Sequence, residues 1–252
     1  MRGHLLLLFP AQGVGAVARV RILGSMKFFA GLVLPFLAAT AYAATDLDNA
    51  VNNQDVKALQ ALAAKAKTLA DAKPNDAALA LQLALADSHW AQVAMELGDK
   101  KGSAAAAEAG IPVAEKAVQL APKSGEAHRI LGTLCGQVIP ANPIAGISRG
   151  RCALDEVNRA IELDPKSSMA YVSRGIGNYY LPPMFGGGTN KAISDLRKAV
   201  ELDARNAEAH MWLGVALRKA NKTPEARAAL EAALKLNPQR KWAQQQLEKT
   251  PK

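Results

Sequence analysis

The stretch from Ala207 to Pro238, AEAHMWLGVALRKANKTPEARAALEAALKLNP, decides the fold. Gly214 in its first half and Ala226 in its second are small where two antiparallel helices approach most closely, and Leu213, Leu217 and Leu230 fill the seam at helical intervals. Pro238 ends the second helix and starts the next turn. The same helix ends recur upstream at Glu201-Leu202-Asp203-Ala204, Glu162-Leu163-Asp164-Pro165, Gln119-Leu120-Ala121-Pro122 and Asp71-Ala72-Lys73-Pro74. Each is followed by a helix that opens with a small or acidic residue near alanine: Asp76-Ala77, Glu126-Ala127-His128, Met169-Ala170-Tyr171 and Glu208-Ala209-His210. The pattern predicts an all-α solenoid of four stacked antiparallel hairpins, with an N-terminal helix before them. A last helix over 239–249, rich in Gln244, Gln245, Gln246, Glu248 and Lys249, is expected to cap the open end.

Prolines or their equivalents at 74, 122, 165, 204 and 238 are 48, 43, 39 and 34 residues apart, so the repeats lengthen towards the N-terminus. The excess falls between the helices of each hairpin: Gly98 to Ser103 with an extended following helix, Ile139 to Arg151, and Leu181 to Asn190. Insertions inside repeats map to loops on one side of a solenoid, often the binding side.

Composition agrees with helices throughout: 50% of the 252 residues are hydrophobic and only 5% aromatic, and alanine and leucine dominate. The formal charge of +9 invites a nucleic-acid reading. Arg2, Arg19, Arg21 and Lys27 fall in the first 43 residues, however, and without that segment the chain holds 27 basic and 22 acidic residues, or +5. These alternate along helices, as in Glu156, Arg159 and Glu162, which is the pattern of a solvated face; no nucleic-acid partner is expected.

Residues 26–44 read as an export signal. Met26 and Lys27 form the positive start, Phe28 to Ala39 the apolar stretch, and Ala41-Tyr42-Ala43-Ala44 the small-residue cleavage site. Residues 1–25 read as an upstream extension, with Met26 the true start and cleavage after Ala43 or Ala44, which leaves 45–252 as the helical repeat domain. One long signal or an uncleaved anchor is the competing reading, but the apolar run, broken by Pro35, falls short of the ~20 residues a span needs. A periplasmic or secreted protein without a stable membrane anchor is expected.

In Ala207 to Pro238, His210, Leu213, Gly214, Leu217, Ala226, Leu230, Ala233 and Pro238 stand at the offsets of Trp-x2-Leu-Gly-x2-Tyr, Ala-x3-Phe and Pro. The chain thus resembles the tetratricopeptide (TPR) repeat proteins, with leucine or histidine where that family prefers aromatics. Over about residues 75 to 240 it is similar to exported bacterial TPR proteins whose hairpins carry a long loop and a Pro-Met-Phe-Gly-Gly type loop, here Pro182 to Gly188. A weaker similarity is to periplasmic TPR components of some solute transporters. The resemblance implies stacked helix pairs and partner binding, with no catalytic residues and no cofactor.

Other chemistry is weak in this chain. Gly186-Gly187-Gly188-Thr189-Asn190-Lys191 precedes a helix but lacks the order of a phosphate loop, and reads as a turn with a cap at Thr189 or Asn190. His89, His128 and His210 lie in three different repeats, without the close spacing of a metal site. Cys135 and Cys152 flank one inserted segment. A bridge would close roughly 18 residues and contribute about 3 kcal/mol, and the alternative is two small buried thiols.

On the repeat register, the first helix of each hairpin turns Leu81 and Leu85, then Arg129 and Thr133, then Val172, Ile176, Tyr179 and Tyr180, then Met211, Val215 and Arg218 to the concave side. The third set is apolar and runs into Met184 and Phe185. Val172, Ile176, Tyr179, Tyr180, Met184, Phe185, Met211, Arg129 and Arg218 are therefore the candidate binding residues. Two arrangements remain open: the inserted loop covers this patch, or leaves it exposed. A protein or peptide scaffold would present an open groove, whereas a solute-binding accessory would enclose an apolar pocket lined by Tyr179, Phe185 and Met211.

Overall fold

The computed structural model describes residues 46–141 and 146–251, all within one compact unit, Ala41–Lys252. The expected signal, with its start at Met26 and its cleavage site, lies outside the described residues. Eleven α-helices and no strand are present among the described residues: α1 (46–53), α2 (Val56–Ala72), α3 (Ala77–Glu96), α4 (Lys100–Leu120), α5 (Gly125–Val138), α6 (Gly146–Leu163), α7 (Ser168–Tyr180), α8 (Thr189–Leu202), α9 (Ala207–Lys219), α10 (Thr223–Leu236) and α11 (Lys241–Glu248). Helices α3 to α10 pack as four successive pairs, and the first helices of neighbouring pairs touch one another. This is the expected all-α solenoid.

Each first helix begins in the same way. The side chains of Asp76, Ser124, Ser167 and Asn206 accept hydrogen bonds from the amides of Leu79, Ala127, Ala170 and Ala209 at 3.0 to 3.2 Å. Such caps contribute about 1 kcal/mol each. Eight residues after the caps of α5, α7 and α9 stand Gly132, Gly175 and Gly214, and a Cβ on Gly214 would lie 2.6 Å from Leu230 Cγ. Equivalent contacts with Val157 and Leu196 would be 2.7 Å, so the close approach read from Ala207 to Pro238 recurs in each of these pairs. His128 and His210 share a repeat position and a role: Nε2 of each donates to the carbonyl six residues back, of Pro122 at 3.1 Å and of Ala204 at 3.0 Å.

The extra residues of the first repeat lie partly where expected, in an extended second helix. Only Leu97 to Asp99 separate α3 from α4, and the excess has gone into the helices themselves, 20 and 21 residues long. The connections 139–145 and 181–188 are longer than 220–222 in the last pair. Two helices rather than one precede the hairpins, because Gln54 adopts a left-handed φ of 55° and Asp55 caps a new helix through the Ala58 amide. Cys135 and Cys152 are disulfide-bonded with their Cα atoms 6.0 Å apart, which joins α5 to α6. Cys135 is also fully buried, so it acts both as bridge and as core.

Helix α11 does more than cap an open end. Trp242 and Ala243 pack into the core beside Trp212, and the helix start meets the N-terminal elements. Arg240 donates to the Val51 carbonyl at 3.2 Å, Asn237 to Asn52 at 2.9 Å, and Gln245 to Gln54 at 3.0 Å. The first and last helices of the unit are thus bonded to each other across some 190 residues of sequence. No helix among the described residues is long and apolar enough to cross a membrane.

Candidate partner-binding site

Because neighbouring first helices touch and the ends of the unit meet, the inner face is largely filled. Val172 and Met211 are 2% and 1% exposed and belong to the core, so the structure removes them from the candidate binding surface. Arg129 is removed too: its guanidinium is buried, held by Glu126 at 2.7 and 2.6 Å and within 3.2 Å of Ser173 Oγ. Ile176 is half-buried against the same core. Arg218 is half-buried and donates to the carbonyl and the side-chain oxygen of Gln246 at 3.0 and 2.6 Å.

The remaining candidates form a continuous segment at the end of α7. Tyr180, Met184 and Phe185 are 51%, 82% and 65% exposed, and the last two are the most exposed large hydrophobic residues of the described chain. The segment stands on a firm base. The rings of Tyr179 and Tyr180 meet edge to face with centres 5.0 Å apart, and both reach Trp212 at 5.9 and 6.2 Å. Trp212 in turn lies 4.9 Å from Trp242. Such pairs hold one another in a defined geometry, each adding roughly 1 kcal/mol. Trp212 Nε1 is buried with no partner among the described residues.

After Tyr180 the chain turns through a short 3-10 helix, Pro183–Phe185, and Gly186 and Gly188 take φ of 87° and 111°. A Cβ on Gly187 would lie 2.3 Å from the Leu181 carbonyl oxygen, so the loop is folded tightly on itself. The loop presents Met184 and Phe185 to solvent. Helix α8 starts at Thr189 behind Gly188, and neither Thr189 nor Asn190 is its cap. The expected apolar pocket of Tyr179, Phe185 and Met211 is not formed, since Met211 is core and Phe185 points to solvent. Beside the loop lies a cleft of about 300 Å³, lined by Leu154, Asn158, Arg174, Asn178, Lys191 and Asp195 among others.

Polar side chains absent from the sequence-derived set complete the inner face. His89 Nδ1 donates to Gln92 Oε1 at 3.2 Å, and Gln92 donates to Glu96 at 3.1 Å. Glu96 is bonded to Arg240, which also reaches Glu208 at 3.0 Å. Burial lowers the His89 pKa, so its ring is neutral at pH 7. Burial, Tyr179 and Glu96 push the Tyr180 pKa up to about 12. Burial likewise raises Tyr179, against the opposing charge of Arg218. Among the described residues no group of three or more His, Cys, Asp or Glu side chains is placed to hold a metal ion.

The profile of the regulator of microtubule dynamics protein 1-3 family matches residues 43–181, more than half of the chain. The chain belongs to that family. A tetratricopeptide-repeat profile matches residues 185–241, which include the segment that revealed the repeat, and the protein is a TPR protein. Two solved structures share its fold. TTC0263, a thermophilic TPR protein of Thermus thermophilus, is 16% identical over 85% of this chain and 95% of its own, with a TM-score of 0.56. The HusA haemophore from Porphyromonas gingivalis is 20% identical over 76% of this chain and 96% of its own, with a TM-score of 0.58. No curated protein matches the chain.

Proposed function

We propose that this protein is an exported scaffold, working in the periplasm or outside the cell, that binds another protein or an extended peptide through the segment from Tyr179 to Phe185. The observation that carries this reading is the exposure of Met184 and Phe185 on the loop that follows Tyr180, itself half-exposed and packed edge to face on Tyr179 and Trp212. Contiguous exposed apolar side chains mark interaction sites, and a fixed base lowers the ordering cost of binding. Export is supported by the Met26 to Ala44 signal and by the Cys135–Cys152 bridge, since disulfides persist in oxidising compartments. The family name describes regulators of microtubule dynamics, and only the helical repeat scaffold is carried over here. The TPR fold and the inserted loops of the second and third hairpins support binding rather than catalysis.

Two measurements test this. The exported protein should begin at Ala44 or Thr45 by N-terminal sequencing. Affinity capture from the compartment should recover partners with the intact protein and lose them with Met184→Ser/Phe185→Ser. Recovery of the same partners by both proteins sinks the proposed site.

A further inference from the structure

Resting on that reading of the Tyr179 to Phe185 segment, we infer that its occupant is an acidic amphipathic segment of a partner protein, whose apolar side chains cover Met184 and Phe185 while carboxylates meet Lys191 and Lys219. The two lysines bracket the exposed segment. Lys219 Nζ donates to the Tyr179 carbonyl at 2.7 Å and lies 4.1 Å from the centre of that residue's ring. Lys191 Nζ donates to the Gly186 carbonyl, also at 2.7 Å. Both side chains are exposed, and among the described residues neither meets a carboxylate. Arg218, the third cation on this side, donates to Gln246 and meets no carboxylate among the described residues.

The carboxylates nearby are already occupied. Glu96, which acts on Tyr180, is buried against Arg240. Asp195, in the cleft beside Lys191, is bonded to Arg174 and Asn178. The cleft of about 300 Å³ thus holds two cations, Arg174 and Lys191, against the single carboxylate of Asp195, and offers a carboxylate side chain a place beside the apolar surface. A basic partner would meet repulsion at both ends of the segment. A second copy of this chain is disfavoured because residues 44–252 carry a net +5, so two copies repel.

Fluorescence anisotropy with short labelled peptides tests the inference. One peptide alternates Leu and Phe with Asp and Glu, a second replaces the acids by Ser and Gln, and a third by Lys. The acidic peptide should bind at least about tenfold more tightly than the neutral one, and more weakly as salt rises. Lys191→Glu/Lys219→Glu should cost about tenfold or more for the acidic peptide alone. Met184→Ser/Phe185→Ser should weaken every peptide that binds. Equal or better binding of the neutral or basic peptide, or no effect of the charge reversal, overturns the acidic chemistry and leaves the site standing. Unchanged binding in Met184→Ser/Phe185→Ser overturns the site itself. Sedimentation showing self-association that this same variant abolishes would make the occupant a second copy, and would also overturn the inference. Because all four substituted side chains are exposed, circular dichroism should show unaltered folding.

Discussion

Asp87 offers a test of how burial acts in this fold. It lies on α3 beside Gly110 of α4, is 6% exposed, and has no hydrogen-bond or ion-pair partner among the described residues. Burial raises its pKa from 3.8 to about 6. A carboxyl raised in the folded state binds its proton more tightly there than when unfolded, so folding is progressively penalised as the pH climbs from the unfolded value to the folded one. The wild-type protein should therefore lose stability as the pH rises from about 4 through about 6, and stay at the lower level above that. A shift of roughly 2 units at ~1.4 kcal/mol per unit makes the penalty about 3 kcal/mol at pH 7.5. Asp87→Asn keeps the shape and removes the charge. At pH 7.5 the variant should be about 3 kcal/mol more stable in urea denaturation, or melt roughly 6–12 °C higher for a domain of this size. At pH 4 the two proteins should agree within about 0.5 kcal/mol. The reasoning is refuted if Asp87→Asn is neutral or destabilising at pH 7.5, or if its difference from wild type is the same at pH 4 and pH 7.5.

Two further outcomes follow from the bonds that close the unit. Arg240→Leu leaves Glu96 and Glu208 without their cation and should destabilise by roughly 3–5 kcal/mol, with part of that loss recovered in Arg240→Leu/Glu96→Gln; equilibrium unfolding of the three proteins gives the answer. Cys135→Ser/Cys152→Ser should lose about 3 kcal/mol by the same assay, and dithiothreitol should lower the wild type to the same level while leaving the variant unchanged.

The fold was legible in sequence because the determinants of a helical hairpin are local. Gly214 and Ala226 sit twelve residues apart, and the seam they open is filled by leucines of the same two helices. The caps at Asp76, Ser124, Ser167 and Asn206 act within three residues. A few local readings missed. In the first repeat the extended α4 was expected but the lengthening of α3 was not, and the small residues of Ala104 to Gly110 let the two lie close along each other. At the start of α8, the backbone freedom of Gly188 replaced the expected side-chain cap.

What the sequence by itself determined was the repeat, its helix ends, the segment from Tyr179 to Phe185 and the two cysteines able to meet. Tertiary structure alone decided which of the inward positions stay accessible. Val172, Met211 and Arg129 follow the same register as Tyr180, yet they are closed off by neighbouring first helices. The bond between Arg240 and Glu96 spans 144 residues and carries no periodic signal, since it depends on how many repeats the solenoid turns through before its ends meet. The aromatic base was hidden for the same reason: Trp212 and Trp242 lie on different helices, and only the packing of α11 against α9 brings them within 4.9 Å. Exposure and long-range pairing are properties of the assembled stack, set by packing between repeats, whereas helix position and hairpin seam are set within each one.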